Sequence, residues 1–177
     1  MKKLFMVAAF AVSALCANAQ VWIGGNVGFN STSYEGLDDN ETIVQLRPEI
    51  GYSLNENWDV AVGLGLSRIG NYLGVKDANA FAWEVSPYAR YTFAKVKNVG
   101  FFVDGGVSVG VYNPDGAPST TTYWVGIKPG VKFAATDKLT LVAHVGSLGY
   151  KNKKDQYSTF GFGVDGGDLS FGLYYAF

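Results

Sequence analysis

The residue best suited to act as a general base is His144, because it is the only histidine in the chain. A hydrolytic site would need a nucleophile or an acid beside it, within reach of a substrate. The alternation of residues around His144 predicts that it points to the polar side of a strand, away from either end of that strand. No serine, histidine and aspartate are predicted to meet at one end of the strands. We therefore expect a hydrogen-bonded structural histidine and no catalytic residue.

Two other patterns raise the question of a ligand. Gly161, Gly163 and Gly166 match the spacing of the dinucleotide-binding fingerprint, but that motif requires a strand before it and a helix after it. No helix is predicted here, so we expect no cofactor. Four acidic residues in the first long loop could attract a cation, although a solvated loop is favoured and no metal site is predicted: Glu35, Asp38, Asp39 and Glu41.

Charged residues cluster on one side of the alternating segments. Four of them are positive and four are negative, and glycines on the same side leave space for long side chains. Balanced signs in an enclosed space favour a network of salt bridges, since an isolated buried charge costs several kcal/mol. A pore lined by the same charges remains the alternative. The predicted polar network comprises Arg47, Glu49, Asp59, Glu84, Arg90, Asp104, Lys128, Lys132 and His144.

The elements that position these residues are strands, because apolar and polar residues alternate with period two. Val60, Val62 and Leu64 share one face, for example, and no position on the apolar faces of the eight such segments is charged. A soluble barrel would place its charges outside and its apolar face inside. An apolar exterior is typical of a barrel in lipid. The sequence therefore predicts an all-β fold, an eight-stranded antiparallel up-and-down transmembrane β-barrel.

The composition agrees with strands in an apolar solvent. Hydrophobic residues make up 48% of the 177 residues and charged residues 16%, against roughly 25% charged in a typical soluble protein. The chain is too apolar for a disordered protein. Its formal net charge of −1 also excludes a typical nucleic-acid-binding protein.

The N-terminus has the three parts of a secretory signal peptide. Lys2 and Lys3 precede an apolar run, which ends near Cys16 and is followed by an Ala-x-Ala site at Ala17 and Ala19. The run is too short to span a bilayer. We predict cleavage after residue 19, which leaves residues 20–177 as a single domain. Cleavage removes the only cysteine, so the mature domain has no internal disulfide.

The connections between strands alternate in length. Residues 55–57, 94–98 and 135–138 form short turns, whereas residues 31–41, 71–80, 113–121 and 151–156 form longer loops. Short turns of such barrels face the periplasm and long loops face outward. Residues 165–168 are predicted to be a bulge or kink in one long strand, with a hairpin turn as the alternative. Bulges are also predicted at the prolines inside strands, Pro48, Pro87 and Pro129.

The end of the chain carries the most specific motif, a polar residue and a glycine followed by two aromatic residues: Ser170, Gly172, Tyr175 and Phe177. With this ending the chain resembles the small outer-membrane β-barrel proteins, the OmpX/OmpA/OmpW-like group, and above all the outer membrane protein beta-barrel domain proteins common in Bacteroidetes. The resemblance implies that these four residues are an assembly signal. It also implies a location in the bacterial outer membrane, with the barrel-assembly machinery, periplasmic chaperones, lipid and lipopolysaccharide as partners.

The expected function follows from this architecture. We expect an integral outer-membrane barrel with a packed polar lumen, which has a structural or surface-interaction role through its extracellular loops. A narrow OmpW-like channel for small solutes is the alternative, and an outer-membrane enzyme is less favoured. We expect a monomer that binds no nucleic acid.

Overall fold

The fold is built entirely of strands in the parts of the chain that the computed structural model describes, which are residues 20–33, 40–71, 76, 78–154, 157–163 and 169–177. No helix in those ranges is long and apolar enough to cross a membrane. The strands are β1 (Gln20–Thr32), β2 (Glu41–Ser53), β3 (Trp58–Gly70), β4 (Ala80–Val96), β5 (Val99–Pro114), β6 (Thr120–Ala134), β7 (Leu139–Val145), β8 (Ser147–Lys153), β9 (Tyr157–Gly163) and β10 (Leu169–Ala176).

The strands close into a ring. Each strand from β1 to β6 pairs antiparallel with the next, β6 pairs with β7, β7 with β10, and β10 with β1. The ring therefore has eight positions, and the pairing of β5 with β6 completes it. Closure gives each of the eight positions a hydrogen-bonded neighbour on both sides, which a sheet in hydrocarbon requires, although the segment β9 itself pairs only with β8 among the described residues. The prediction of an eight-stranded antiparallel barrel is confirmed.

The seventh barrel position is occupied by two segments in line, β7 and β8. Both pair with β6, β7 along its second half and β8 along its first half. Between the pairs Gly130↔His144 and Ile127↔Leu148, β6 contributes two residues and the opposite strand contributes three. The extra residue makes a β-bulge. It includes Gly146, whose φ of 142° is accessible to a residue without a Cβ.

The eighth position contains β9 and β10. β9 pairs with β8, and β10 pairs with β7 and β1, so the two segments follow the two halves of the preceding strand. A hairpin turn at residues 165–168 would pair β9 with β10, and the described residues contain no such pairing. This favours one interrupted strand over a ninth strand. Asp165 and Asp168 themselves lie outside the described residues, as does the predicted signal peptide, residues 1–19.

The prediction of bulges at prolines is wrong at two of the three positions. Between the pairs Leu46↔Leu66 and Glu49↔Gly63, two residues lie on each strand, so Pro48 causes no change of register. The same holds at Pro87. Proline removes one N–H from the ladder without adding a residue, and the count on the two strands stays equal. Only Pro129 lies beside a bulge, the one at Gly146.

The short turns lie at the same edge of the barrel as residues 20 and 177, the first and last residues of the described chain. We call this edge the turn end. Residues 54–57, 97–98 and 135–138 connect the strands there. The last residue joins this edge through Phe177 N–H, which donates to the carbonyl of Val21 at 3.1 Å. The opposite edge, called the loop end, carries residues 33–40, 71–79, 115–119 and 154–156 between the strands. The predicted alternation of lengths holds for the first three of these connections, but the predicted long loop 151–156 is reduced to residues 154–156, because β8 extends to Lys153.

The two faces of the sheet differ as the alternation requires. Val62 leaves 39% of its surface exposed on the outside of the barrel, whereas the neighbouring Gly63 is buried on the inside. Large apolar side chains cover the outer face of every barrel strand. The buried polar groups, including Glu49 and Asp59, line the lumen. The apolar core of an ordinary soluble protein is thus replaced by an apolar exterior.

The outer face provides the first testable prediction. Val62→Arg places a charge on that face, and we expect it to reduce the free energy of unfolding in lipid vesicles by about 2–4 kcal/mol. Gly65→Ser is the matched change on the lumen side, where an added Cβ would make only ordinary contacts, the nearest at 3.5 Å from Glu84. Urea titration of both variants checks the assignment of the faces. Equal destabilisation would contradict it.

Candidate functional site

The lumen contains the candidate site, and its most buried charges are Arg90 on β4 and Asp104 on β5. The two residues face each other across the strand pair. Arg90 Nε and Nη2 donate to the two carboxylate oxygens of Asp104 at 2.7 and 2.8 Å. Their side chains are 4% and 7% exposed. A bidentate geometry of this kind compensates for the loss of solvation better than a single contact does.

His144 extends this ion pair toward β10. Its Nε2 lies 2.8 Å from Asp104 Oδ2, and its Nδ1 lies 3.3 Å from the hydroxyl of Ser170. Gly130 of β6 lies between His144 of β7 and Phe102 of β5 in the strand register, and a Cβ at position 130 would lie 2.3 Å from the ring of Phe102. Only a residue without a side chain at this position leaves room for His144 to reach Asp104 across β6.

Asp104, His144 and Ser170 are therefore brought together, although the sequence pattern predicted no such group at one end of the strands. They meet in the interior of the barrel, at neither rim. Both carboxylate oxygens of Asp104 are engaged by Arg90, so the charge that would support His144 as a base is already neutralised. The geometry fits a relay of hydrogen bonds that orients the histidine ring.

Aromatic rings surround the guanidinium group of Arg90. Its Cζ lies 4.0 Å from the ring centroid of Phe102 and 5.5 Å from that of Tyr174, within cation–π range. Trp22 meets Tyr174 edge to face at 4.8 Å. Phe102 is fully buried. These residues form what we call the central layer: Trp22, Arg90, Phe102, Asp104, His144 and Tyr174.

Glu49 joins the central layer to the neighbouring strands. Its carboxylate accepts hydrogen bonds from Tyr88 Oη at 2.6 Å and Tyr174 Oη at 3.0 Å. Asn26 Nδ2 donates to its other oxygen at 3.4 Å. Three neutral donors thus satisfy a buried carboxylate that has no cation in direct contact within the described structure.

The half of the lumen toward the loop end holds a second ion pair, between Arg47 and Glu84. Ser108 Oγ donates to the other oxygen of Glu84 at 3.0 Å. Lys128 lies over the ring of Trp124, with its Nζ 4.8 Å from the centroid. Among the described residues, no carboxylate lies within ion-pair distance of Lys128.

The half of the lumen toward the turn end is more open. Lys132 Nζ lies 3.6 Å from Asp59 Oδ2, and Ser53 Oγ donates to Asp59 Oδ1 at 2.6 Å. A cavity of about 330 Å³ lies beside this pair. Trp22, Arg90 and Tyr174 of the central layer are among the residues that line it.

All the residues predicted for the polar network lie on strands that line the lumen, and eight of them make polar contacts with other residues. Sequence reasoning missed the aromatic part of the site, chiefly Tyr88, Phe102 and Tyr174. The available signal was an aromatic residue at a position of the polar face, as at Tyr88 and Tyr174. A buried tyrosine needs a partner for its hydroxyl, and Glu49 provides it for both.

The residues of the predicted assembly signal divide between the two faces of β10. Tyr175 and Phe177 point outward and meet edge to face at 5.4 Å. Ser170 points into the lumen, and Gly172 lies against the ring of Tyr174. The structure does not test whether these residues direct assembly, so this role stays a prediction.

The other ligand patterns add no site in the described parts of the chain. No group of three or more His, Cys, Asp or Glu residues there could hold a metal ion. Of the acidic loop only Glu41 is described, and it is buried at the start of β2. Gly161 and Gly163 belong to strand β9, and Gly166 lies outside the described residues.

The sequence matches one family model, described as the outer membrane protein beta-barrel domain, over residues 4–177. A comparison with curated proteins gave no match.

Solved structures with a similar fold are small outer-membrane barrels. Ail of Yersinia pestis in a phospholipid nanodisc has a TM-score of 0.53 and 16% identity, with 90% of this chain and 100% of that chain covered. Neisserial surface protein A has a TM-score of 0.52 and 20% identity, with 90% of this chain and 96% of that chain covered. The N-terminal barrel of Pseudomonas aeruginosa OprF has a TM-score of 0.52 and 17% identity, with 89% of this chain and 97% of that chain covered. At these identities the likeness extends to the fold alone.

The central ion pair provides the second prediction. Arg90→Met leaves Asp104 buried without its cation, and we expect a loss of about 3–5 kcal/mol in the free energy of unfolding. Lys95→Met is the matched control, because its partner Glu56 is 95% exposed and such a pair contributes at most about 1 kcal/mol. Urea unfolding in detergent micelles measures both. Similar losses in the two variants would show that the central pair has no special role.

Proposed function

Because the chain belongs to the outer membrane protein beta-barrel domain family, we propose that its mature form is a structural or surface-interaction protein of the bacterial outer membrane. In this proposal the extracellular loops make the contacts with partners, and the barrel anchors them in lipid. The apolar exterior and the alternating lengths of the connections support this orientation, with the turn end in the periplasm.

The observation that carries the proposal is the central layer. Phe102 is fully buried, and Tyr174 and Trp22 are 4% and 7% exposed inside the lumen. An eight-stranded barrel is only just wide enough for its own side chains. A lumen filled by this layer supports a barrel that conducts no solute, and this leaves the loops as the part that can act. The narrow channel is accordingly the second candidate.

Two structural neighbours have names that place them at the cell envelope. One is Neisserial surface protein A, and another is the outer membrane protein Ail of Yersinia pestis. Their likeness to this chain is one of fold. The proposed surface role therefore depends on the closed lumen and the exposed loops of this chain.

The route to the membrane is part of the same proposal. Residues 1–19 act as a cleaved signal peptide, and residues 20–177 form the mature domain. Ser170, Gly172, Tyr175 and Phe177 act as the assembly signal for the barrel-assembly machinery, after periplasmic chaperones have escorted the chain. Outer-membrane lipid and lipopolysaccharide surround the finished barrel, which we propose to be a monomer.

Planar-bilayer recording tests the closed lumen. We expect no steady single-channel steps from the wild-type barrel, because the central layer fills its cross-section. A variant with Arg90→Ala and Phe102→Ala removes the largest part of this layer and should give measurable steps. Steady steps from the wild type would favour the channel and contradict the proposal.

Loop replacement tests the surface role. Residues 115–119 connect β5 and β6 at the loop end, and we expect their exchange for a Gly-Ser segment of equal length to reduce adhesion of expressing cells to immobilised matrix proteins or lipopolysaccharide. Each longer connection is exchanged in turn. Residues 54–57 at the turn end are the matched control and should have no effect. If no loop exchange changes adhesion, or if the control changes it equally, the surface role is wrong.

A further inference from the structure

The cavity at the turn end has the features of a binding site that the proposed function does not use. Its volume of about 330 Å³ lies at the lower end of the roughly 300–1,000 Å³ range of ligand pockets. Trp22 and Tyr174 of the central layer are among its lining residues, so the cavity borders the packed layer. Charged residues of both signs line the remainder, among them Glu56, Asp59, Lys95 and Lys132.

The charges in this cavity are less tightly paired than those of the central layer. Arg90 and Asp104 are 2.7 Å apart, with side chains that are 4% and 7% exposed. Lys132 and Asp59 are 3.6 Å apart and are 23% and 11% exposed. Lys95 and Glu56 are 3.8 Å apart, and their side chains are 40% and 95% exposed. The ion pairs therefore loosen toward the mouth, where their groups retain capacity for other partners.

Two further charged residues stand at the mouth itself. Lys97 lies in the turn between β4 and β5, and Asp137 lies in the turn between β6 and β7. The turns are adjacent, because Ala134 N–H donates to the carbonyl of Asn98 at 2.8 Å. Within the described residues, neither Lys97 nor Asp137 has an ion-pair partner. The mouth thus offers one available charge of each sign.

We propose that this cavity binds a small zwitterion, a molecule with an ammonium group and a carboxylate or phosphate a few bonds apart. The ammonium group lies against the acidic side chains, Asp59 and Asp137, and the anionic group against Lys132 and Lys97. The apolar part of the ligand contacts the rings of Trp22 and Tyr174.

The balance of charge is the reason for choosing a zwitterion. Apart from Arg90, which is paired with Asp104, the charged lining residues are three lysines and three acidic residues: Lys95, Lys97, Lys132, Glu56, Asp59 and Asp137. The cavity therefore attracts neither simple cations nor simple anions strongly. A ligand with both charges satisfies both sets at once, and complementarity of this kind determines specificity. Amino acids or short peptides and the ethanolamine phosphate headgroup of lipids share this chemistry.

The test follows the Trp22 resonance by ¹⁹F NMR in the folded mature barrel, labelled with 5-fluorotryptophan and held in detergent micelles. Trp22→Phe assigns the resonance. Dialanine and phosphoethanolamine are the two zwitterionic probes, and N-acetyl-dialanine amide is the neutral control. We expect a saturable shift with at least one zwitterion and none with the neutral peptide. The relative affinity of the two probes identifies the source of the ligand. Trp124, in the other half of the lumen, should not shift.

Charge-removing variants complete the test. Lys132→Gln and Asp59→Asn should each weaken binding by at least roughly tenfold, because a hydrogen bond to a charged group is lost. Lys128→Gln, beyond the central layer, is the matched control and should bind normally. If Lys132→Gln does not fold, as judged by gel mobility before and after boiling, Lys97→Gln at the exposed mouth replaces it.

Three results would overturn the proposal: no saturable shift with either zwitterion, equal binding of the neutral peptide, or unchanged affinity in the folded charge-removing variants. Each of these results leaves the conductance and adhesion experiments unaffected, because the cavity lies at the end opposite the loops. Failure of this inference and failure of the proposed function are therefore distinguishable.

Discussion

The need to pair every backbone N–H and C=O group within the protein governs the rest of this structure. In hydrocarbon, strands meet that need only by closing into a ring. Eight positions close here through the pairing of β5 with β6. Closure divides each strand into a lipid face and a lumen face, so Val62 and Gly63, neighbours in the chain, face opposite environments. The apolar exterior and the charged lumen follow from this division.

The charges of the lumen are constrained by the same closure. Inside a narrow ring they must neutralise one another or reach water. Arg90 and Asp104, deep in the lumen, form a bidentate pair enclosed by aromatic rings. Lys132 and Asp59, closer to the turn end, are further apart and more exposed. The lumen therefore changes from a closed centre to an open mouth, and the two proposals made above rely on different parts of this gradient.

The sequence predicts most of the residues that line the lumen, but it predicts few of the contacts between them. Alternation alone assigns Arg47, Glu84 and the other charged residues to the lumen. It does not predict that Asp104 contacts both Arg90 and His144, because that contact crosses β6 and depends on the missing side chain at Gly130. The bulges expected at Pro48 and Pro87 illustrate the same limit. Whether a proline shifts the register depends on the residue count of the partner strand, and the local sequence does not contain that count.

The sequence by itself determined the class of fold, the number of barrel positions, the direction of each face and the ends at which turns and loops lie. These features depend on periodicity and composition, which can be read from short stretches of neighbouring residues. Only the tertiary structure decided which charges meet, how the aromatic residues Trp22, Phe102 and Tyr174 fill the centre, and where the cavity remains. The physical reason is that side chains meet across the lumen according to the register of all the strands together. That register is set when the ring closes, between residues such as Glu49 and Tyr174 that lie far apart in the chain.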